Sequence, residues 1–477
     1  MDTDQESTCL KPEAAETGLM SNQKTISACA KACNIDPRLI ECIYPAHPEQ
    51  EHRMNHHIHN GTYFEQMVLQ FDHMASVQQQ KFLIKVIDTI RIKNYILRTR
   101  LVKRENTVYE VVLKERSPWT TEDYLKGYFR KNINVRMGYG SELCRYALLG
   151  DEHGETFFIW TGMTSRSIFD DLQQACSDLR SFSNMNLRMQ YSEYVAWTRS
   201  CNLASALHFW RSRYSFFKQL DFEFPNFGPP KFSTMSDAQA LHTLHFPMQE
   251  NRPNISLSVI GHAAWALTVY EECGSSDVDF ISMSPGIERI MGPVSARVPI
   301  RITFDKDMTT GGLLKIIGYQ LLSMVGVEHY AVRALRGQGF NWKSVTQGVF
   351  QWHPLRSDVF NKMIVCHDKD AALATLRFRQ DLSTPANHDY GLMVDIWEED
   401  GYISINTSWN SQLLEWRKVD HLIKRFTTLF TLIVNGHGET VGELIGHCNG
   451  VEGEATGFTT SLSTLRHSST EFEGFSN

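Results

Sequence analysis

Residues 160–166, Trp160-Thr161-Gly162-Met163-Thr164-Ser165-Arg166, join an apolar run to a helical pattern. Thr156-Phe157-Phe158-Ile159-Trp160 suits a buried strand, and Ile168, Leu172 and Cys176 then fall on one helical face. Ser167 and Asp170 are placed like a capping box. A loop at such a junction can aim side chains into a cleft. This one carries hydrogen-bond donors: the hydroxyls of Thr161 and Ser165 and the guanidinium of Arg166. None titrates near neutral pH, so the segment offers polarisation of a carbonyl and no general base. Trp160 is expected to narrow the space those donors face, with Met163 beside it.

Other chemistry-bearing groups are sparser. His56-His57-Ile58-His59-Asn60-Gly61 could suggest a metal, yet no partner cluster stands out, and a polar strand or loop with exposed imidazoles is expected. His353, next to Trp352 in Phe350-Gln351-Trp352-His353-Pro354, is the strongest candidate for a displaced base, ahead of His329. Trp409, after a hairpin strand, is a second candidate wall. Gly337-Gln338-Gly339 lacks a third glycine and a strand-helix setting, and there is no Gly-x-Ser-x-Gly elbow. No metal and no cofactor are called for.

The elements that must position these residues alternate between helix and strand. Leu257, Ile260, Ala264 and Leu267 mark a buried helix face, as do Leu422, Phe426, Leu429 and Ile433. Leu392, Val394 and Ile396, then Glu399-Asp400-Gly401, then Ile403 and Ile405 give a hairpin. The fold class is therefore α/β (α+β). At 477 residues, with 42% hydrophobic and 21% charged residues, the chain suits two globular blocks. Residues 1–35 read as a flexible arm, 36–185 and 186–450 as N- and C-terminal lobes, and 451–477 as a disordered tail. A net charge of −7 argues against nucleic acid and anionic membranes. There is no apolar run long enough to span a bilayer and no secretory leader pattern at Met1–Glu6. Ten scattered cysteines fit a reduced, cytoplasmic protein.

Five segments in order resemble motifs of the condensation domains of fungal nonribosomal peptide synthetases. They are Ile43–Glu51, Ile96-Leu97-Arg98-Thr99-Arg100, residues 160–166, Tyr191–Trp197, and Gly292-Pro293-Val294 with Val298-Pro299-Ile300-Arg301. Ser284-Pro285-Gly286 stands where related chains carry a Gly-Arg turn. The resemblance runs from about residue 38 to 440. It implies two chloramphenicol-acetyltransferase-like lobes in a V, with a central tunnel at the third motif. In that family the third motif reads His-His-x-x-x-Asp-Gly, and its second His serves acyl transfer. Here Trp160 and Thr161 replace the two His, and Ser165 and Arg166 replace Asp-Gly. Arg98 holds the position of an Arg that pairs with the missing Asp, so it is expected to find another acceptor or face a polar ligand.

Lost imidazoles with a kept scaffold point to a reaction that needs confinement and hydrogen bonding alone. The leading expectation is a cyclase of Diels-Alder type in fungal specialised metabolism, acting on an apolar precursor. Thr161, Ser165, Arg98 and His353 are its expected catalytic groups, and Trp160, Met163, Arg166, Ser284, Trp352 and Trp409 its substrate contacts. The alternatives are an amide- or ester-forming acyltransferase with a relocated base, or a non-catalytic carrier- or metabolite-binding partner. No adenylation or carrier segment lies within these residues, so a diffusing substrate or a borrowed carrier protein is expected, with the chain a monomer.

Overall fold

The computed structural model describes residues 23–450, except 62, 64, 115–118, 121–123, 163–166, 186–188, 201, 215–235, 246–254, 285–289, 337–347, 354–362, 367–373, 380–381, 384–387, 389 and 400, together with residues 458–464. Its first six helices are α1 (Gln23–Cys33), α2 (Pro48–Asn60), α3 (Val77–Lys93), α4 (Leu125–Asn134), α5 (Ser167–Ser177) and α6 (Leu179–Asn184). After them come α7 (Tyr191–Ser200), α8 (Leu203–Tyr214), α9 (Leu257–Cys273), α10 (Thr310–Ser323) and α11 (Ala331–Arg336). The last two are α12 (Trp416–Val434) and α13 (Val441–Gly450).

Three sheets connect them. The smallest places β1 (Ile40–Pro45), β4 (Thr107–Leu113) and β3 (Thr99–Arg104) in that order, all antiparallel. A five-stranded antiparallel sheet runs β11 (Ile364–Cys366), β12 (Ala374–Phe378), β2 (Glu65–Phe71), β6 (Thr156–Gly162) and β5 (Cys144–Gly150). The seven-stranded sheet runs β15 (Phe458–Thr464), β7 (Ala238–His245), β14 (Tyr402–Trp409), β13 (Leu392–Glu399), β10 (Gly348–His353), β8 (Asp277–Ser284) and β9 (Ala296–Thr303). There β10 is parallel to both neighbours, and every other pair is antiparallel.

The mixed class and the long periodic elements agree with the sequence. Helix α9 starts at Ser256, whose hydroxyl accepts the Val259 N–H, and stops at Gly274 with φ 63°. It packs against α12, and together they cover the apolar face of the seven-stranded sheet. The β13–β14 hairpin turns at Gly401, φ 83°.

Several boundaries need correction. Residues 23–33, expected in a flexible arm, form α1, which buries Cys29, Ala30 and Cys33 against β1, β3 and β4. Residues 458–464, expected in a disordered tail, pair along the whole of β7. The His-rich segment is not a loop: it lies in α2. His47 accepts the Glu49 N–H, Gln50 reaches back to the His47 N–H, Pro48 occupies the first turn, and Gly61 closes the helix at φ 74°. Nor does the chain divide cleanly at residue 185. Strands β11 and β12 extend the sheet of the N-terminal half at β2, and the thiols of Cys176 on α5 and Cys366 on β11 meet at 3.4 Å.

A buried polar cluster joins the halves. Glu49 on α2 accepts from Arg53 at 3.0 Å and from Arg297 of β9 at 3.1 Å, while Arg53 reaches Ser295 at 3.1 Å. Burial alone would raise the Glu49 carboxyl, but Arg297 and Arg53 outweigh it and hold the group at about 2. Removing that charge strands two buried guanidinium groups. Glu49→Gln is expected to cost about 3 kcal/mol or more in urea unfolding, an effect that should shrink as pH falls below 4.

Candidate functional site

Every residue of β6 is buried, and its two faces differ. Phe158 and Trp160 enter the main core of the N-terminal half, among Leu83, Val86, Ile168 and Leu172. Trp160 is 1% exposed, and its ring folds back over Gly162, where an added Cβ would lie 2.7 Å from it. It is therefore a core residue and not a channel wall. Thr161 points the other way and is fully buried. Its Oγ1 accepts from Asn132 Nδ2 at 3.0 Å, and Tyr128 also bonds to it, while Asn132 holds Gln66 at 2.8 Å. That hydroxyl is consumed in tying α4 to β2 and β6. Met163, Ser165 and Arg166 lie outside the described residues.

The remaining expected residues disperse. Arg98 pairs with Glu41 of β1, donates to the carbonyls of Leu113 at 2.7 Å and Ile92 at 3.3 Å, and stacks on Tyr95. Among the described residues its two terminal guanidinium nitrogens are thus engaged by the three-stranded sheet and the Ile92 carbonyl. His353 ends β10, stacked on Trp397 at 3.6 Å and 3.5 Å from Asp395 Oδ1. Trp409 is 3% exposed and stacks on Trp416, a core contact and no wall.

Ser284 and Trp352 do come together. They line a cavity of about 230 Å³ with Ser258 and His262 of α9, Ser282 and Met283 of β8, Val298, Leu321, Met324, Val325 and Glu328. Val325 is 71% exposed, so the cavity reaches solvent at the end of α10. The opposite wall lies at the carboxyl ends of the parallel strands β8 and β10, where ligands of open α/β sheets are commonly held. Trp352 forms that wall because α9 carries Gly261 opposite it: a Cβ there would come within 2.2 Å of the indole. Gly261→Ala should displace the ring and destabilise the protein by about 1–3 kcal/mol, measurable by chemical unfolding.

Within this cavity the residues sit in order for proton transfer. His262 Nδ1 is 2.6 Å from the Ser258 carbonyl oxygen, and Nε2 is 2.8 Å from Ser282 Oγ. A carbonyl can only accept, so Nδ1 carries the ring hydrogen and Nε2 is left bare to accept the Ser282 proton. Burial holds the imidazole at about 4, against the opposing pull of the Ser258 carbonyl, so it is neutral at physiological pH. Glu328 adds a carboxyl raised by burial, its Oε2 buried without a protein partner. No motif or spacing singles out His262, Ser282 and Glu328. The available signal is a histidine four residues after Ser258 in an otherwise apolar helix face, together with Ser-Met-Ser at the end of a strand.

Among the described residues no three His, Cys, Asp or Glu gather as a metal site, and no helix is long and apolar enough to cross a membrane.

No family model matches the chain. It is similar to nonribosomal peptide synthetase atnA of Emericella nidulans, 22% identical over 89% of this chain and 6% of the relative. It is also similar to the FR901469 synthetase of a Dothideomycetidae species, 25% identical over 86% of this chain and 3% of that protein. The match to synthetase sidD of Aspergillus fumigatus is 23% identical, over 88% and 20%. The chain thus spans a fifth or less of these relatives' length. Among solved structures, one named CT mutant superposes with a TM-score of 0.66 at 17% identity, over 88% of this chain and 97% of the other. The starter condensation domain of rhizomide synthetase RzmA, bound to C8-CoA and Leu-SNAC as a mutant, gives 0.64 at 12%, over 84% and 96%. The fold is that of a condensation domain, and the sequence is similar to the condensation regions of fungal peptide synthetases.

Proposed function

We propose that this chain is an acyl-transfer enzyme of fungal specialised metabolism whose base has moved from the third motif to His262 in the C-terminal half. The single observation that carries this reading is His262, held between the Ser258 carbonyl and Ser282 Oγ beside the cavity shared with Ser284 and Trp352. A neutral imidazole with an unprotonated Nε2 is the group that residues 160–166 no longer supply. The cavity holds about eight water volumes. That suits a short acyl chain, and a thioester is the activated form that tolerates the weak base a buried His262 would be.

A cyclisation by confinement, the leading expectation from the sequence, needs a walled chamber around Trp160 and Thr161. Both are close-packed, and about 230 Å³ lies below the usual range for a cavity that encloses a sizeable apolar precursor. Acyl transfer is therefore preferred. We place the thioester's delivery at the Val325 opening, where Ile316, Tyr319 and Leu322 add exposed apolar surface along α10 for a carrier protein.

The test is release of free thiol from octanoyl-N-acetylcysteamine with a panel of amine and alcohol acceptors. Turnover above buffer is expected, and Thr161→Val should leave it within about twofold while lowering stability by about 1–3 kcal/mol, because Asn132 and Tyr128 each lose a buried hydrogen bond. No turnover by the wild-type protein, or turnover that depends on Thr161, would remove the reading.

A further inference from the structure

We infer that Ser282 is an acyl acceptor: its hydroxyl takes the acyl group from the thioester as an ester before the group passes to a second nucleophile. The inference rests on the acyl-transfer reading. Ser282 and His262 are each 3% exposed and share one cavity wall, with Oγ and Nε2 2.8 Å apart. Nε2 has one lone pair, and Ser282 occupies it. An acceptor arriving from solution cannot reach the base without displacing that hydroxyl. The proton that this imidazole is set to remove is therefore the protein's own. On the face of β8 that carries Ser282, the preceding positions Val278 and Phe280 are apolar core residues, so packing against α9 alone would not select a hydroxyl at this position.

The chemistry balances with thioester and acceptor alone. Ser282 Oγ attacks the thioester carbonyl carbon, the C–S bond breaks, and its electron pair leaves on sulfur. The serine proton passes to His262 Nε2 and from there to the departing thiolate. In the second half an amine or hydroxyl attacks the Ser282 ester and gives its proton to Nε2. The C–O bond to Ser282 then breaks, and the proton returns to Oγ. His262 ends each cycle neutral.

The full chain would be mixed with octanoyl-N-acetylcysteamine, quenched in acid and weighed intact by mass spectrometry. One added octanoyl group is expected, removable by hydroxylamine and absent from Ser282→Ala, whose turnover should fall by about 10²-fold or more. Ser282→Cys, which keeps volume and a nucleophile, should still take the label and guards against a folding defect in the alanine variant. Far-UV circular dichroism would compare all three proteins. Ser282→Ala turning over at the wild-type rate while His262→Ala is inactive would overturn the acyl-enzyme and leave His262 acting directly on the acceptor. Both variants at the wild-type rate would overturn this inference and the site together.

Discussion

His262→Ala is expected to lower thioester turnover by about 10²- to 10⁴-fold, the usual contribution of a positioned general base. The substitution removes the acceptor for the Ser282 proton and leaves Ser258's carbonyl free of its side-chain donor. The pH profile distinguishes a base from a packing residue. Burial puts the His262 imidazole at about 4, so activity should be flat from neutral pH down to about 5 and fall tenfold per unit below 4. A profile that instead breaks near 6.5 would mean an exposed imidazole and would sink this assignment. His262→Gln, which keeps a polar side chain of similar reach, should recover stability without recovering turnover. That split between folding and rate is what a merely structural histidine would not produce.

Why spacing and motifs draw attention to residues 160–166 and not to His262 follows from what each signal measures. Apolar periodicity reports burial, so α9, α12, β6 and the β13–β14 hairpin were legible from spacing alone. The same signal is blind where backbone pairing does the holding. Strand β15, rich in Ser and Thr, joins β7 through main-chain hydrogen bonds, and hydropathy registers none of them. Helix α2 is hard to see from spacing because its polar residues hide the period, although Pro48 and Gly61 mark both of its ends. At the site the difficulty was of another kind. Residue loss at 160–166 is visible in the sequence, and a Trp at the first of those positions suggests a ring facing the vacated space. The indole instead turns inward onto Gly162, a direction fixed by strand alternation against α3 and α5. The pairing of His262 with Ser282 spans α9 and β8, twenty residues apart, and arises only when that helix lies across its strand.

Acidification from pH 6 to pH 5 is expected to cost the folded state about 2–3 kcal/mol, read as a falling free energy of urea unfolding. Among the described residues four histidines are held well below their ordinary value by burial: His47, His242 and His262 at about 4, and His329 at about 3. A base depressed in the folded state stays neutral there while its unfolded counterpart, near 6.5, takes a proton. The unfolded state therefore binds more protons between about 6.5 and 4, and stability is lost as pH falls through that window. Carboxyls raised by burial pull the other way. Burial lifts Glu110 to about 8 and Asp279 to about 6, so the folded protein holds their protons where the unfolded chain has released them. Four protons against two, with Glu328, whose carboxyl burial also raises, opposing further, leaves a net uptake on unfolding of up to about two, worth about 1.4 kcal/mol each per pH unit. Exchanging His262 for Phe should flatten the slope by about one proton, since that ring remains buried without titrating. A stability that rises on acidification over this range would show the imidazoles to be charged in the folded protein, and the neutral Nε2 on which the proposed chemistry depends would go with them.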